Sequence, residues 1–212
     1  MIGRVLPQSL SLLVNGILVW LTGTALENTI RKIVSLNPAE ICLSRLVPLL
    51  QKEIYPKGYL LIREGKTERS LFFLEKGVAR AFCNQDDKEV TFWFGEEADI
   101  LLSLNSYFAD KPGYESIELL EESIVYKVSH RELQRLYDLE IELANWGRKL
   151  AESEFIKADQ RFISQQFKPA AERYREFTET YPGLSKRIQL GHIASYLGIS
   201  QVSLSRIRGE RQ

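Results

Sequence analysis

Residues 189–207 read QLGHIASYLGISQVSLSRI, and this stretch decides how the C-terminal part of the chain folds. Ile193 and Leu197 recur at the spacing that places two apolar side chains on one face of a helix. Gly198 follows where the chain must leave that helix, a position that commonly needs a positive φ. Ser200 can then cap a second helix. The stretch therefore predicts two short helices, joined by a tight turn, with their apolar faces packed together.

The second helix is expected to bury Val202 or Leu204 together with Ile207, which leaves a polar face outward. Short polar side chains near a helix N-terminus suit base edges in the major groove of DNA, and arginines suit phosphates or guanine. The residues predicted to contact DNA are Ser200, Gln201, Ser203, Ser205, Arg206 and Arg208. Lys186 and Arg187, before the first helix, either hold the DNA backbone or form a solvated charged corner. A helical hairpin that binds no DNA is the alternative.

The distribution of charge agrees with a DNA-binding C-terminus. The whole chain has 28 Lys and Arg against 28 Asp and Glu, a formal net charge of zero. Residues 168–212 hold eight basic and four acidic residues, a net charge of +4, and the rest of the chain therefore carries −4. A basic segment on a mildly acidic body is typical of a small nucleic-acid-binding module attached to a larger domain.

Residues 140–167 contain no proline and carry apolar residues at spacings of three, four and seven, which predicts one long helix with a single apolar stripe. An amphipathic helix of this length between two domains commonly pairs with its copy in a dimer. The residues predicted for that interface are Ile141, Leu150, Phe155, Ala158 and Phe162. Packing of the helix on its own β-rich domain is the alternative.

The central part of the chain, residues 54–128, alternates short β-rich runs with turns that contain glycine or acidic residues. Strands of about four to six residues with such punctuation are typical of a β-sandwich, roll or barrel. Ser129, with Glu132 three residues later, forms the capping-box pattern and predicts the start of a helix. We therefore expect an α+β fold, in which a β-roll is flanked by helices and followed by a helical C-terminal domain.

The first 26 residues form a hydrophobic extension. No residue from 5 to 26 is charged, and residues 12–21 read LLVNGILVWL. This pattern resembles a signal peptide or a short membrane anchor, although Asn15 and Gly16 interrupt the apolar run. An extra packed helix and a true translation start near residue 26 are the other interpretations. Since an exported protein would have no DNA to bind, we expect a cytoplasmic protein without a membrane partner. A membrane-tethered or partner-binding module without DNA binding is the alternative.

With these residues in view, the sequence resembles the Crp/Fnr superfamily of bacterial transcription regulators, in the short form seen in Bacteroidetes. The resemblance is carried by residues 192–200 and 204–208 in the hairpin, by YPKG at 55–58 and by FLEKGVAR at 73–80, and it covers about residues 27–212. It implies a homodimer that reads a palindromic site on double-stranded DNA and works with RNA polymerase. The β-roll would be the sensor domain.

Four segments follow from the resemblance and the residue patterns together. They are the doubtful extension at 1–26, a cyclic-nucleotide-binding-like β-roll at 27–139, a dimerisation helix at 140–167 and a helix-turn-helix domain at 168–212. The resemblance implies that the β-roll is a double-stranded β-helix of the jelly-roll type.

Cyclic-nucleotide binders of the superfamily carry a phosphate cassette, Gly-Glu-Leu and later Arg-Ser/Thr-Ala, whose arginine neutralises the cyclic phosphate. Here no arginine lies between Arg80 and Arg131, and Glu115 stands roughly where that arginine would be. We therefore expect no binding of cyclic AMP in the usual way and no other cofactor. A cyclic-nucleotide-responsive activator is the alternative. The candidate residues for an effector pocket of unknown ligand are Phe94, Glu96, Lys111, Glu115 and Ser116.

Catalytic and metal sites are not expected. The chain has two histidines, His130 and His192, and two cysteines, Cys42 and Cys83, in no metal-binding spacing. No Ser-His-Asp, Cys-His or phosphate-loop arrangement occurs in the sequence. A metal site of the cupin type would need clustered His and Glu on the strands. The sequence therefore favours a regulator over an enzyme.

Overall fold

A computed structural model of the chain describes residues 26–86 and 88–209. The hydrophobic N-terminal extension lies, apart from its last residue, outside the described residues, and its interpretation stays a prediction. The described helices are α1 (Glu27–Leu36), α2 (Glu40–Leu46), α3 (Leu104–Ala109), α4 (His130–Leu139), α5 (Ile141–Phe167), α6 (Ala170–Thr180), α7 (Leu190–Tyr196) and α8 (Gln201–Gly209), with 3-10 turns at Val47–Leu49 and Leu184–Lys186. Within this described part, every helix is too short or too polar to cross a membrane.

The described strands are β1 (Gln51–Tyr55), β2 (Leu60–Ile62), β3 (Ser70–Lys76), β4 (Ala79–Gln85), β5 (Lys88–Gly95), β6 (Ile100–Leu101), β7 (Ser116–Leu119) and β8 (Ser123–Ser129). They form two antiparallel four-stranded sheets, with the orders β1-β8-β3-β6 and β2-β7-β4-β5. β4 and β5 pair along their length, from Ala79 opposite Gly95 to Gln85 opposite Lys88. β5 is the edge of the second sheet. The predicted α+β fold with a β-roll is confirmed.

The two sheets enclose the first hydrophobic core. Successive side chains of a strand point to opposite faces, so each strand contributes alternate residues to this core. The first sheet supplies Phe72, Leu74, Leu101 and Val125, and the second supplies Ala79, Ala81, Trp93, Ile117 and Leu119.

A second core lies on the other face of the first sheet, where helices cover it. Leu71 and Phe73 of β3 point to this side and pack with Leu133 of α4 and with Trp146 of α5. Trp146 is fully buried, and its indole Nε1 donates a hydrogen bond of 3.2 Å to the carbonyl of Ile33 in α1. The long helix is therefore fixed to both the sheet and the N-terminal helix.

Glu75 in β3 holds the first turn of α1. Its buried carboxylate accepts hydrogen bonds from the backbone N–H of Asn28 at 3.0 Å and from that of Thr29 at 2.8 Å. The Thr29 hydroxyl donates a third bond to the same carboxylate, at 2.8 Å. The first N–H groups of a helix have no partner inside the helix and favour a negative charge, so Glu75 satisfies both requirements.

The helices after the β-roll begin and end close to the residues that the sequence indicated. Ser129 caps α4, because its Oγ accepts the backbone N–H of Glu132 at 3.2 Å and donates to the Glu132 carboxylate at 2.7 Å. α5 begins one residue after the predicted start and ends at Phe167, where Pro169 separates it from α6.

The long helix α5 has two distinct faces, one packed on the β-roll and one exposed to solvent. Its sequence indicated a single apolar stripe. The face toward the β-roll recurs at spacings of three and four, and consists of Leu143, Trp146, Leu150, Glu154, Lys157 and Arg161. The opposite face leaves large apolar side chains in solvent, among them Phe155, Ile156, Phe162 and Ile163. Phe155 and Phe162 are seven residues apart, and so are Ile156 and Ile163, which is the heptad spacing.

The predicted dimer residues therefore divide between the two faces. Ile141, Phe155 and Phe162 are exposed, at 73%, 75% and 60% of their full accessibility. Leu150 instead lies in the protomer's own core, and Ala158 is half-buried. The placement of Leu150 corrects the prediction, since a spacing of three or four in the sequence does not say which of two apolar faces a residue joins.

Trp146→Ala should lower the free energy of unfolding by about 3–5 kcal/mol, because it opens a cavity in the core and removes the indole hydrogen bond to the Ile33 carbonyl. Urea denaturation followed by circular dichroism measures this change. The matched control is Leu139→Ala, at a side chain that is 78% exposed, which should change stability by less than about 0.5 kcal/mol. Equal effects of the two substitutions would contradict the packing described for α5.

Candidate nucleic-acid interface and adjoining cavity

The hairpin of α7 and α8 has the geometry that its sequence predicted. Gly198 adopts a φ of +65° at the end of α7. The Oγ of Ser200 accepts the backbone N–H of Ser203 at 3.1 Å and so caps α8. Ile193, Leu197 and Leu204 are buried between the helices. The turn therefore fixes the angle between α7 and α8.

The structure decides between the two apolar candidates in α8. Leu204 is buried and Val202 is 64% exposed, so Leu204 packs the hairpin while Val202 joins the outward face. Five of the six residues predicted to contact DNA are exposed, namely Ser200, Gln201, Ser205, Arg206 and Arg208. The sixth, Ser203, is half-buried, and its hydroxyl shares a hydrogen bond of 2.9 Å with the Ser200 hydroxyl.

Gly191 in α7 allows the Gln201 side chain to lie across the start of the hairpin. A Cβ on residue 191 would come within 2.7 Å of the amide Nε2 of Gln201. A larger residue at this position would therefore push the Gln201 amide away from α7.

The two basic residues before α7 have different surroundings. Lys186 is exposed. The guanidinium of Arg187 pairs with two carboxylates of the β-roll, Glu97 at 2.7 Å and Glu121 at 2.6 Å. Arg187 therefore fastens the hairpin to the β-roll in this arrangement and would have to leave both acids to reach a DNA phosphate.

This ion-pair cluster perturbs the ionisation of Glu97. Burial disfavours its charged form, but hydrogen bonds from Arg187 and from the backbone N–H of Gly77 outweigh burial and hold the pKa of Glu97 at about 2, against an ordinary 4.5. Glu97 therefore stays ionised in the docked arrangement at any physiological pH.

The hairpin is attached to the edge strand β5. The hydroxyl of Ser195 in α7 accepts the backbone N–H of Thr91 at 2.9 Å and donates to the carbonyl of Glu89 at 2.9 Å. The Ser195 side chain thus provides the donor and the acceptor that a neighbouring strand would otherwise supply. A single serine within a helix gives no sequence signal for this role, and sequence reasoning missed it.

Phe94, predicted to line an effector pocket, belongs to this interface instead. It is fully buried, with its ring centroid 6.0 Å from that of Phe177 in α6 and 5.4 Å from that of Tyr196 in α7. The Tyr181 hydroxyl donates to the Phe94 carbonyl at 3.5 Å. The prediction for Phe94 was wrong because its side chain points out of the β-roll, on the face that the C-terminal domain covers.

His192 also lies at the contact between hairpin and β-roll. Burial, followed by the charge of Arg80, lowers its pKa. Arg80 is itself buried and pairs with Glu89 and Glu118, both at 2.7 Å. The Nδ1 of His192 is buried without a hydrogen-bond partner among the described residues. The lowered pKa favours the neutral form of the imidazole.

A cavity of about 60 Å³ lies between the second sheet and the long helix α5. Its walls are formed by Ala81, Phe92, Trp93, Ile100, Leu102, Leu104, Tyr114, Glu115, Ile117, Glu154 and Arg161. Among the five residues predicted for an effector pocket, the cavity contains Glu115. Sequence reasoning missed Glu154 and Arg161, because a pattern within the β-roll cannot show which turn of a distant helix closes over it.

The other three predicted pocket residues lie elsewhere. Ser116 is buried, and its Oγ accepts the backbone N–H of Glu64 at 3.1 Å. Glu96 is half-buried in the turn before β6, where its backbone N–H donates to Asp99 at 3.1 Å. Lys111 is exposed in the loop after α3. Over the residues that the structure describes, no group of three or more His, Cys, Asp or Glu could hold a metal ion.

Arg187→Gln should raise the pKa of Glu97 from about 2 toward its ordinary 4.5, because the variant loses the cation that holds the carboxylate ionised. By the same linkage, Glu97 stabilises the wild-type arrangement above pH of about 4.5, and this contribution is lost as pH falls toward 2. An NMR titration of the side-chain carboxyl carbon of Glu97 checks the change. The neighbouring substitution Lys186→Gln is the control and should leave the titration unchanged. A pKa that stays near 2 in the Arg187 variant would contradict the role given to this ion pair.

Comparison with known proteins agrees with the architecture. The family model of the cyclic nucleotide-binding domain matches residues 52–140. FixK2 from Bradyrhizobium japonicum superposes with a TM-score of 0.67 at 16% identity, over 76% of this chain and 83% of FixK2. A protein assigned to the Crp/Fnr family from Eubacterium rectale gives 0.63 at 15% identity, over 77% and 79% of the two chains.

The catabolite activator protein of Thermus thermophilus gives a TM-score of 0.55 at 16% identity, over 84% of this chain and 85% of that one. A comparison with curated protein sequences found no match. The domain match and the shared architecture confirm the resemblance that the sequence predicted: the chain contains a domain of the cyclic nucleotide-binding family and has the fold of the Crp/Fnr transcription regulators.

Proposed function

We propose that the chain is a transcription regulator that binds double-stranded DNA through α8. The observation that carries the proposal is the outward face of α8, where Gln201, Ser205, Arg206 and Arg208 are exposed while Leu204 holds the helix to α7. The side chains near the start of this face are short and polar, and the arginines follow toward its end. This order matches a recognition helix, whose first turns read base edges and whose basic residues pair with guanine or phosphate.

The proposed regulator is a homodimer that reads a palindromic site. Support comes from the exposed face of α5, where Phe155, Ile156, Phe162 and Ile163 recur at heptad spacing with no covering element among the described residues. A second copy of the same helix would bury these side chains in a two-stranded coiled coil. The two α8 helices would then face two half-sites about one turn of DNA apart.

The β-roll would control DNA binding through the position of the hairpin. Ser195 holds the hairpin to β5, and Arg187 holds it to Glu97 and Glu121. Since α6 is joined to α5 by a two-residue connection, a change in how α5 lies on the β-roll also moves the hairpin. The protein would act in the cytoplasm, as expected for a regulator of this type. RNA polymerase would be its further partner.

Cyclic AMP is not the proposed effector. A cyclic phosphate needs a cation when water is excluded. The cavity instead presents the buried carboxylate of Glu115, which would repel a cyclic phosphate.

The function is tested by incubating the purified full-length protein with a pool of genomic DNA fragments across a salt series and sequencing the retained DNA. The expected result is enrichment of a palindrome, with affinity that falls steeply as salt rises because each phosphate contact releases counterions. The absence of enrichment at every salt concentration, with and without a cell extract as a source of effector, would contradict the proposed function.

Arg206→Ala should weaken binding to the enriched site by about 1–3 kcal/mol and relax its sequence preference, if the guanidinium contacts a base as proposed. Fluorescence anisotropy with the palindrome and with a scrambled duplex measures both effects. The control is Arg135→Ala, an exposed arginine on α4, which should leave both affinities unchanged. An Arg206 variant with wild-type affinity and selectivity would remove this residue from the DNA interface.

Phe162→Glu should convert the dimer to a monomer, because it places a charge in the centre of the proposed helix pair. Sedimentation equilibrium measures the mass. Phe108→Glu, at a similarly exposed phenylalanine of the β-roll, is the control and should stay dimeric. A Phe162 variant that sediments as a dimer would show that α5 does not form the interface.

A further inference from the structure

We infer that Arg173 and Gln165 are positioning residues, which hold the hairpin at a fixed angle to α5 and so set the spacing of the half-sites that the dimer accepts. Gln165 lies in the last turn of α5, and Arg173 lies in α6. Both side chains reach the end of α7, where the chain turns toward α8. The inference rests on the proposed function, because half-site spacing has a meaning only for a dimer that binds DNA.

Two carbonyls at the end of α7 are bonded by side chains from outside the hairpin. The last carbonyl groups of a helix have no partner within the helix. The carbonyl of Tyr196, the final residue of α7, accepts the Nε2 of Gln165 at 2.8 Å. The carbonyl of the next residue, Leu197, accepts the Nη2 of Arg173 at 2.7 Å. The two helices that precede the hairpin therefore supply donors to the end of α7.

Arg173 connects the ends of two helices at once. Its Nη1 donates to the carbonyl of Lys168, the residue that follows α5, at 2.7 Å, while its Nη2 bonds Leu197. The donors of a guanidinium have a fixed planar arrangement, so these two bonds also fix the distance between the two carbonyls. A cation is favourable at a helix C-terminus, and Arg173 lies at the ends of both α5 and α7.

A tilt of the hairpin would leave Arg173 with too few acceptors. Its Nε is buried with no hydrogen-bond partner among the described residues, so the guanidinium depends on the carbonyls of Lys168 and Leu197. Loss of the bond to Leu197 would leave a second nitrogen of a half-buried cation unsatisfied. Such a loss costs more than the loss of a bond between two solvated groups. Arg173 therefore resists rotation of the hairpin about the end of α5.

The end of α5 is also braced against α6. The carboxylate of Glu176 in α6 accepts the hydroxyl of Ser164 at 2.7 Å and pairs with the ammonium of Lys168. These contacts lie on both sides of Pro169, where the chain leaves α5. Because α5 is the proposed dimer helix, its position on the dimer axis is passed through this junction to α8. The separation of the two α8 helices, and hence the accepted spacing of half-sites, follows from it.

The test measures how strictly the full-length protein selects half-site spacing. Fluorescence anisotropy gives its affinity for the enriched palindrome, for versions with one or two base pairs inserted or removed between the half-sites, and for a duplex with a single half-site. Each inserted base pair moves one half-site by about 3.4 Å and rotates it around the duplex. The wild type should bind the best spacing at least about tenfold more tightly than the altered ones, as expected when bonds to the DNA are lost.

Arg173→Ala should reduce this preference to less than about threefold, because a hairpin freed from the end of α5 adapts to other spacings. Its affinity for the single half-site should remain within about twofold of the wild-type value, since the outward face of α8 is unchanged. Arg173→Lys keeps the charge without the planar donors and should give an intermediate preference. The control is Arg175→Ala, an exposed arginine whose acidic partners, Glu172 and Glu179, lie on the same helix, and it should retain the wild-type preference.

A wild-type spacing preference in Arg173→Ala would overturn the inference. An equal loss of affinity for the single half-site and for every palindrome would also overturn it, because it would show that Arg173 only supports the folding of the hairpin. If this variant fails to fold, Gln165→Ala decides by the same criteria, since the Gln165 side chain is exposed. A wild-type protein that binds no palindrome would contradict the proposed function instead.

Hydrogen exchange tests the same bonds without DNA. The amide of Leu197, which donates to the carbonyl of Ile193 in α7, should exchange at least about tenfold faster in Arg173→Ala than in the wild type, because the last turn of α7 opens more often. Arg175→Ala should leave the rate unchanged. An equal rate in the wild type and in Arg173→Ala would overturn the positioning role, whatever the outcome of the DNA measurements.

Discussion

The packing of one face of α5 on the β-roll is the constraint on which the rest of the structure depends. Leu143, Trp146 and Leu150 anchor the first half of this face in the core, and the register they set carries Glu154 and Arg161 over the cavity. The same register turns the opposite apolar face into solvent. Side chains three and four residues apart share a helix face. The packing of this one face therefore determines which residues of α5 line the cavity and which apolar surface is available to a second copy.

The junction between the C-terminal domain and the β-roll combines an apolar part with a polar one. Phe94 packs among aromatic rings of α6 and α7, while Arg187 and Ser195 make specific polar contacts at the periphery. Apolar burial resists separation without fixing orientation, whereas hydrogen bonds and ion pairs have preferred geometries. The combination gives the C-terminal domain a defined position on the β-roll, although its ion pairs are partly exposed and therefore contribute little to stability.

Local sequence patterns predicted the parts of the fold that depend on local physics. The glycine turn at Gly198, the serine caps at Ser129 and Ser200 and the long helix without proline all occur where the residues indicated them. The errors concern relations between distant segments. Phe94 faces the C-terminal domain instead of the cavity, and Leu150 faces the β-roll, because both assignments depend on which element covers a given side of a strand or helix. Tertiary packing determines which element covers each side, and the local spacing of apolar residues does not predict it.

The attachment of Ser195 to β5 has a consequence for the solubility of the chain. β5 is the edge of its sheet, and an edge strand with free N–H and C=O groups is a template for pairing with another molecule. The serine hydroxyl occupies one donor and one acceptor in the middle of that edge, and α7 shields the groups around them. The C-terminal domain therefore acts as a cover for the β-roll as well as a domain in its own right. Shortened chains that end after the long helix would have an uncovered strand, and they would tend to aggregate edge to edge.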